Sequence, residues 1–355
     1  MSRFFSQKYT ALTPYTPGEQ PQDMQYVKLN TNESPFPPSD KALAYAAART
    51  RPLNLYSDPE SRELTEQVAE TLGVRAENVL LTNGSDEILN FAFMAFCDGE
   101  HPAAFPDITY GFYPVFAALN GVRYTQIPLR EDFTIGVEDY LGLNKTIFIA
   151  NPNAPTGIAL PLTEIERIVA SNPDSVVVID EAYVDFGGES AVPLIGKYKN
   201  LLVTQTFSKS RSLAGGRLGF GVGCAELIRD LNTVKYSTNP YNINSLTAAV
   251  GMGTLLDPEY TKANCAAIIA NRGYLTAELR KRGFTVLDSA ANFVFAKAPK
   301  FGGGALYRTL KEKGVLVRHF DSPERIADYN RITVGTREQL DALLRAIDEI
   351  LEERT

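Results

Sequence analysis

The sequence has few of the residues that usually carry metal or triad chemistry. Its 355 residues include two histidines, His101 and His319, and three cysteines, Cys97, Cys224 and Cys265, with no C-x-x-C pair. These side chains are isolated in sequence, so neither a metal site nor a Ser-His-Asp triad is expected. The cysteines lie in apolar or helical surroundings, which indicates small buried side chains rather than disulfides or ligands.

Long apolar runs and clusters of like charge are also absent. No stretch approaches the ~18 apolar residues of a membrane span, and the N-terminus lacks the apolar segment of a signal peptide. The net charge of −7 is spread along the chain without a run of Lys or Arg, which leaves no basic surface for nucleic acid or an anionic membrane. We therefore expect a globular, cytoplasmic protein with small-molecule partners and no nucleic-acid or membrane partner.

Strand and helix patterns alternate between residues 79 and 222. Short apolar runs rich in β-branched residues recur as "VLLT", "RYTQIPL", "TIFIA", "SVVVID", "NLLVTQT" and "LGFGVG". Helical patterns separate several of them, at residues 86–97, 110–120 and 162–171. Strands that are apolar on both faces and alternate with helices predict an α/β domain whose mostly parallel sheet is covered on two sides.

The C-terminal part has a different pattern. A long helical stretch through residue 282 precedes short strands at "FTVLD", "NFVFAK", "VLVRHF" and "NRITVG", and a closing amphipathic helix spans residues 337–351. These elements predict a smaller α+β domain. We expect an N-terminal arm and part of the small domain at residues 1–40, a large domain at 41–256 and the small domain at 257–355.

Polar clusters follow four of the apolar runs. They are "NGSDE", "NPNAPTG", Asp180 with "EAY", and "FSKS". Because ligands bind at the carboxyl ends of the strands in open α/β sheets, we expect these clusters to converge on one edge.

Each cluster alone has an ordinary structural explanation. Lys209 could be a surface charge, Asp180 could close a strand before a turn, and Ser85 could belong to a helix cap. Together, the three clusters combine groups of complementary chemistry. A desolvated lysine is a nucleophilic amine, a buried carboxylate needs a cationic partner, and a helix N-terminus binds phosphate.

A single cofactor requires all of these groups. Pyridoxal 5'-phosphate (PLP) takes a lysine amine, a carboxylate at its ring nitrogen and several donors for its phosphate. Thr206, Ser208 and Arg217 would add phosphate donors beside Lys209, while the Tyr183 hydroxyl could reach the same pocket. The chain lacks G-x-G-x-x-G and G-x-x-x-x-G-K-[ST] motifs, which also favours a monophosphate over a dinucleotide or a nucleoside triphosphate.

Several motifs resemble a known family. "NPNAPTG", "DEAY" and "SKSRSLAGGRLGF" resemble the fold-type-I, aspartate aminotransferase-like PLP enzymes. "LTPY", "KLNTNESPFPPS", "LYSDPES", "TNGSDE", "ITYGFY" and "RITVGT" resemble, within it, the class-II-like histidinol-phosphate aminotransferases. The resemblance covers nearly the whole chain. It implies a seven-stranded, mostly parallel sheet in the large domain, a smaller α+β domain, and a homodimer.

The resemblance also implies an activity. Histidinol phosphate and 2-oxoglutarate would be converted to imidazole-acetol phosphate and glutamate, a transamination of histidine biosynthesis. An aromatic amino-acid aminotransferase or a threonine-phosphate decarboxylase of the same fold is the alternative. A PLP-binding sensor without catalysis is a further alternative, which the presence of the proton-transferring lysine disfavours.

Site roles follow from the resemblance. Lys209 would attach the cofactor and move the substrate proton, Asp180 would hold the ring nitrogen protonated, and Tyr183 would bond the ring 3'-oxygen. The other cofactor contacts implied are ring stacking by Tyr110, phosphate binding by Ser85, Asp86, Thr206, Ser208 and Arg217, and a phosphate contact across the dimer by Tyr56. The substrate contacts implied are Arg331 for a carboxylate, Arg318 with Tyr15 for the substrate phosphate, and Asn32.

One position departs from the family pattern. The family has Asn directly before "PTG", where it contacts the 3'-oxygen, and this chain has Ala154. Either Asn153 moves into that role or Tyr183 carries it alone.

Overall fold

The computed structural model describes residues 2–353, which contain thirteen strands and ten α-helices. The strands are β1 (Val27–Lys28), β2 (Val79–Thr82), β3 (Ala103–Pro106), β4 (Tyr124–Ile127), β5 (Thr146–Ala150), β6 (Val177–Asp180), β7 (Leu201–Thr206), β8 (Gly219–Gly223), β9 (Thr285–Val286), β10 (Phe293–Lys297), β11 (Val315–Leu316), β12 (Arg318–His319) and β13 (Tyr329–Thr333). The helices are α1 (Asp40–Ala47), α2 (Arg62–Leu72), α3 (Ser85–Phe96), α4 (Tyr113–Asn120), α5 (Leu162–Ser171), α6 (Ala225–Thr238), α7 (Ser245–Leu255), α8 (Pro258–Lys281), α9 (Gly303–Glu312) and α10 (Arg337–Glu352). None of the helices described in this range is long and apolar enough to span a bilayer.

The largest sheet has seven strands in the order β2-β8-β7-β6-β5-β3-β4. Strand β8 runs antiparallel to both neighbours, and the other pairs are parallel, so the predicted mostly parallel α/β sheet is confirmed. The sequence patterns missed β3, whose four residues end in Pro106. They also overestimated the burial of β4, which is largely exposed because it forms the sheet edge.

Alternate residues of the central strands pack into two separate layers. In β5, Ile147 and Ile149 join the core on one face of the sheet, and Phe148 joins the core on the other. Phe148 stacks on Phe93 of α3, with ring centroids 4.1 Å apart. Because side chains alternate along a strand, helices on both faces make every position of β5 apolar.

The C-terminal region forms a four-stranded antiparallel sheet in the order β12-β13-β10-β9. Helix α10 buries Leu340, Leu343, Leu344 and Ile347, the apolar stripe expected from the sequence. The run "VLVRHF" splits, because β11 pairs instead with β1 near the N-terminus. The domain limits at residues 40 and 256 stay predictions.

Strand β8 lies where the end of β2, the end of β7 and the start of α3 come together. Its first residue, Gly219, pairs with Thr82 at the end of β2 and with Thr206 at the end of β7. A Cβ atom at Gly219 would overlap the backbone nitrogen of Ser85, and it would lie 2.6 Å from the carbonyl carbon of Gly84. The absence of a side chain here allows the start of α3 to lie against the sheet.

The substitution Gly219→Ala is therefore expected to destabilise the protein by about 1–3 kcal/mol, as overpacking does. The neighbouring atoms belong to the backbone and cannot rotate away. The matched control is Gly196→Ala, where a Cβ atom would meet nothing within 4 Å. Thermal unfolding of the two cofactor-free variants compares them; equal midpoints would contradict the packing argument.

Candidate active site

A cavity of about 170 Å³ lies at the carboxyl ends of β2, β5, β6 and β7. The four polar clusters expected to converge do meet there. Its lining residues are Thr31, Glu33, Ser85, Asp86, Tyr110, Ala150, Ala154, Asp180, Ala182, Tyr183, Thr206, Ser208, Lys209, Ala214 and Arg217.

Lys209 is a desolvated amine rather than a surface charge. Its Nζ donates to the carbonyl oxygen of Thr31 over 3.1 Å. Burial, and then the positive charge of Arg331, lower the pKa of Lys209 to about 8, while the Glu33 and Asp86 carboxylates act in the opposite direction. A larger fraction of the neutral, nucleophilic amine is therefore present near neutral pH than for an exposed lysine.

Asp180 is a buried carboxylate at the last position of β6, with 5% of its surface exposed. Its Oδ1 accepts from the backbone nitrogen of Ala182 at 3.3 Å, and its Oδ2 accepts from the Tyr113 hydroxyl at 3.2 Å. Burial and the nearby Asp86 charge raise the pKa of Asp180 to about 7. A cationic ring nitrogen beside the carboxylate would favour its ionised form.

Hydroxyl and guanidinium donors line the side of the cavity next to α3. Ser208 Oγ lies 3.0 Å from Thr206 Oγ1 and 3.3 Å from Arg217 Nη1. The α3 N-terminus at Ser85 faces the same space, where unpaired N–H groups favour an anion. Gly84, with φ +79°, precedes α3, and a Cβ atom there would lie 2.5 Å from Arg217 Nη2. The arrangement fits a phosphate.

Asp86 links this side of the cavity to an aromatic ring. It accepts from the Tyr110 hydroxyl at 2.7 Å and from Arg217 Nη2 at 3.3 Å. Tyr110 itself lines the cavity, so its ring is available for the stacking role implied by the sequence.

Tyr183 lines the cavity, and its hydroxyl accepts from Asn32 Nδ2 at 3.0 Å. Asn32 is buried, and its Oδ1 accepts from Thr333 Oγ1 at 3.0 Å. The structure therefore uses Asn32 to hold Tyr183, and it does not place Asn32 among the residues that line the cavity.

Asn153 does not move into the role left by Ala154. Its Nδ2 donates to the Ile108 carbonyl at 3.0 Å and to Thr156 Oγ1 at 3.1 Å, and its Oδ1 accepts from Thr109 Oγ1 at 2.8 Å. These bonds fix the loop itself and use the whole amide. Ala154 and Tyr183 line the cavity and Asn153 does not, an arrangement that favours the second of the two sequence alternatives, in which Tyr183 acts alone.

Arg331 is a guanidinium with unused donor capacity. Its Nη2 donates to the Asn30 carbonyl at 3.2 Å, and its buried Nε has no hydrogen-bond partner among the described residues. Its positive charge lowers the pKa values of Lys209 and Tyr183, which places it near both. A half-buried cation with a free donor is suited to an anionic ligand.

Arg318 and Tyr15 lie farther from the lysine. Arg318 donates to the carbonyls of Thr16 and Pro17 at 3.0 and 3.2 Å and lines a second cavity instead. Tyr15 stacks on Phe112 at 4.2 Å between ring centroids. Neither side chain lines the cavity that contains Lys209.

Tyr56 is not brought to the cavity of its own chain. Its surface is 83% exposed, and its ring stacks on Tyr241 with centroids 4.6 Å apart.

Sequence reasoning missed several residues of the site. Thr31 and Glu33 line the cavity from the segment before α1, and Tyr113 bonds to Asp180. A signal existed only for Tyr113, which lies three residues after Tyr110, one turn away in the helix predicted at residues 110–120. The other two arrive through the pairing of β1 with β11, which local patterns do not encode.

The raised pKa of Asp180 predicts a pH-dependent stability in the cofactor-free protein. An unfolded Asp titrates at about 4. Between that value and about 7 the unfolded chain therefore loses the Asp180 proton before the folded one, so stability falls as pH rises. Asp180→Asn removes this loss. We expect the thermal midpoint of the variant to rise relative to that of the wild type as pH increases through this window. Above the window the difference between the two midpoints should stay constant.

The matched control is Asp174→Asn, which alters an exposed carboxylate. Its midpoint should run parallel to that of the wild type. If the Asp180→Asn curve also stayed parallel, Asp180 would not have a raised pKa.

Known proteins resemble this chain along nearly its whole length. A family model described as aminotransferase class I and II matches residues 24–347. A histidinol-phosphate aminotransferase of Aromatoleum aromaticum is 50% identical over 99% of this chain and 100% of the relative, and one of Bradyrhizobium diazoefficiens is 48% identical with the same coverage. The fold matches the crystal structure of a histidinol-phosphate aminotransferase from Sinorhizobium meliloti in complex with pyridoxal-5'-phosphate, with a TM-score of 0.88, 21% identity and coverage of 100% and 99% of the two chains. The chain belongs to the aminotransferase class I and II family and, within it, to the histidinol-phosphate aminotransferases.

Proposed function

We propose that this protein is a PLP-dependent aminotransferase that converts histidinol phosphate and 2-oxoglutarate to imidazole-acetol phosphate and glutamate. The observation that carries the proposal is the meeting of Lys209 and Asp180 in one cavity with a set of phosphate donors. Relatives of this name, at about half identity over the full chain, support the same activity.

The cavity residues divide between the parts of the cofactor. Lys209 would hold it covalently, Asp180 would pair with its ring nitrogen, and Tyr183 would donate to its 3'-oxygen. The phosphate would be held by Ser208, Thr206, Arg217 and the N–H groups of Ser85 and Asp86, while Tyr110 would stack on the ring. When bound, PLP supplies a ring that accepts the electron pair left at the substrate α-carbon.

Lys209 would also move the substrate proton. General acid–base groups work best when their pKa lies near the operating pH. With a pKa of about 8, the Lys209 amine could accept a proton from the substrate α-carbon near neutral pH and then donate it to the cofactor. The Arg331 guanidinium, whose positive charge lowers the pKa of Lys209, would also bind the carboxylate of glutamate. Arg318, which lines a second cavity, and Tyr15, whose ring lies near Tyr110, would contact the substrate phosphate after the substrate draws Arg318 from its carbonyl partners.

We expect the purified protein, loaded with PLP, to form glutamate from 2-oxoglutarate with histidinol phosphate as donor. Phenylalanine and O-phosphothreonine are the comparison substrates, and both glutamate and CO2 are measured. Preferred turnover of phenylalanine, or CO2 release from O-phosphothreonine, would overturn the substrate assignment.

Within the same assay, Lys209→Ala should lose the visible absorption of the bound cofactor and reduce turnover by at least about a hundredfold. The matched control, Lys199→Ala, removes an exposed lysine and should behave as the wild type.

We also propose a homodimer in which Tyr56 reaches the cofactor phosphate of the partner subunit. Its ring is exposed, and so are the neighbouring Leu53 and Leu55 and, beside it, Tyr241. An apolar group of this kind on one face is typical of an interaction surface. A two-fold interface would cover it and carry Tyr56 to the other chain.

Mixed dimers test which chain Tyr56 serves. In a dimer of one Tyr56→Ala chain and one Lys209→Ala chain, an intersubunit role leaves one complete site, so activity should be roughly half that of the wild type. A wild-type chain paired with a Tyr56→Ala/Lys209→Ala chain should then be nearly inactive. The reverse pattern would show that Tyr56 acts within its own chain. Differently tagged chains, co-expressed and purified through both tags, provide the samples.

A further inference from the structure

Tyr113 is a fully buried phenol whose hydrogen bond to the site is to Asp180. It begins α4, its side chain is 0% exposed, and it is not among the residues that line the cavity. Its hydroxyl lies 3.2 Å from Asp180 Oδ2.

Three aromatic rings fix the direction of this hydroxyl. The Tyr113 ring lies 5.6 Å from Phe105, 5.8 Å from Phe148 and 5.8 Å, edge-on, from Tyr110. With no exposed surface, the phenol cannot exchange its partner for water, and rotation would strike one of these rings. The packing thus holds the hydroxyl on the carboxylate.

The hydroxyl keeps its proton and donates a hydrogen bond to Asp180. Burial, followed by the charge of Asp180, raises the pKa of Tyr113 well above its usual value, so the phenol keeps its proton. The protonation of Asp180 is determined by opposing effects. Burial and the Asp86 charge favour its neutral form. The hydrogen bonds from Tyr113 and the Ala182 N–H, and the charge of Lys209, favour its ionised form. Among the described residues, Tyr113 supplies the side-chain hydrogen bond in this balance.

We propose that Tyr113 is a positioning residue whose hydroxyl keeps the Asp180 carboxylate ionised and oriented, so that Asp180 can hold a proton on the ring nitrogen of bound PLP. A donor to the charged form of a carboxylate stabilises that form, and fixed rings prevent the carboxylate from turning away. The inference rests on the proposed role of Asp180.

The test compares Tyr113→Phe with Tyr140→Phe. Both substitutions remove only a hydroxyl from a buried tyrosine, and the Tyr140 hydroxyl has no hydrogen-bond partner among the described residues. The dissociation constant of PLP is measured by titrating each cofactor-free variant, without substrate. We expect Tyr113→Phe to raise it roughly tenfold to a hundredfold, as for loss of a hydrogen bond to a charged group, and Tyr140→Phe to leave it unchanged.

A double-mutant cycle separates positioning from packing. In an Asp180→Asn background there is no charge to stabilise, so Tyr113→Phe should then change PLP affinity by less than about twofold. A loss of the same size in both backgrounds, or wild-type affinity in Tyr113→Phe, would overturn the inference. Asp180→Asn with unchanged affinity would overturn the proposed role of Asp180 and the inference together. None of these outcomes depends on which substrate the protein uses.

Discussion

The structure depends on the burial of two opposite charges that are not hydrogen-bonded to each other. The Lys209 amine contacts the Thr31 carbonyl, whereas the Asp180 carboxylate is bonded to Tyr113 and to the Ala182 N–H. Desolvation shifts both pKa values toward neutrality, to about 8 and about 7. Burying such a pair costs folding free energy. A ligand that carries an aldehyde for Lys209 and a cationic group for Asp180 would stabilise the folded protein.

The sheet makes this arrangement possible. Central strands that are apolar on both faces leave their polar residues to the ends, and parallel strands bring those ends to one edge. The antiparallel strand β8 adds Gly219, which lets the start of α3 approach closely enough for Ser85 and Arg217 to line the same cavity. The same strand ends thus supply the amine, the carboxylate and the phosphate donors.

Residues behind the cavity wall hold the side chains that line it through hydrogen bonds. Tyr113 and the Ala182 N–H hold Asp180, Asn32 holds Tyr183, and Asn153 closes its own loop instead of entering the cavity. At Ala154, where the family pattern has Asn, the cavity is lined by a methyl group, and the neighbouring Asn153 amide does not take its place. Tyr183, which is held by Asn32 and packed edge-on against Phe293, presents a hydroxyl at the same cavity.

The sequence by itself determined the α/β sheet, its helices and the chemistry at the strand ends, because two-residue and helical periodicities and the residues that follow each strand are local features. It could not locate Thr31 and Glu33, show that Asn153 bonds within its own loop, or connect Tyr113 with Asp180. Those outcomes were decided by the tertiary structure. They depend on which side chains have spare hydrogen-bonding capacity after packing, and on contacts between segments that are distant in the chain, such as Asn32 with Tyr183 and Thr333.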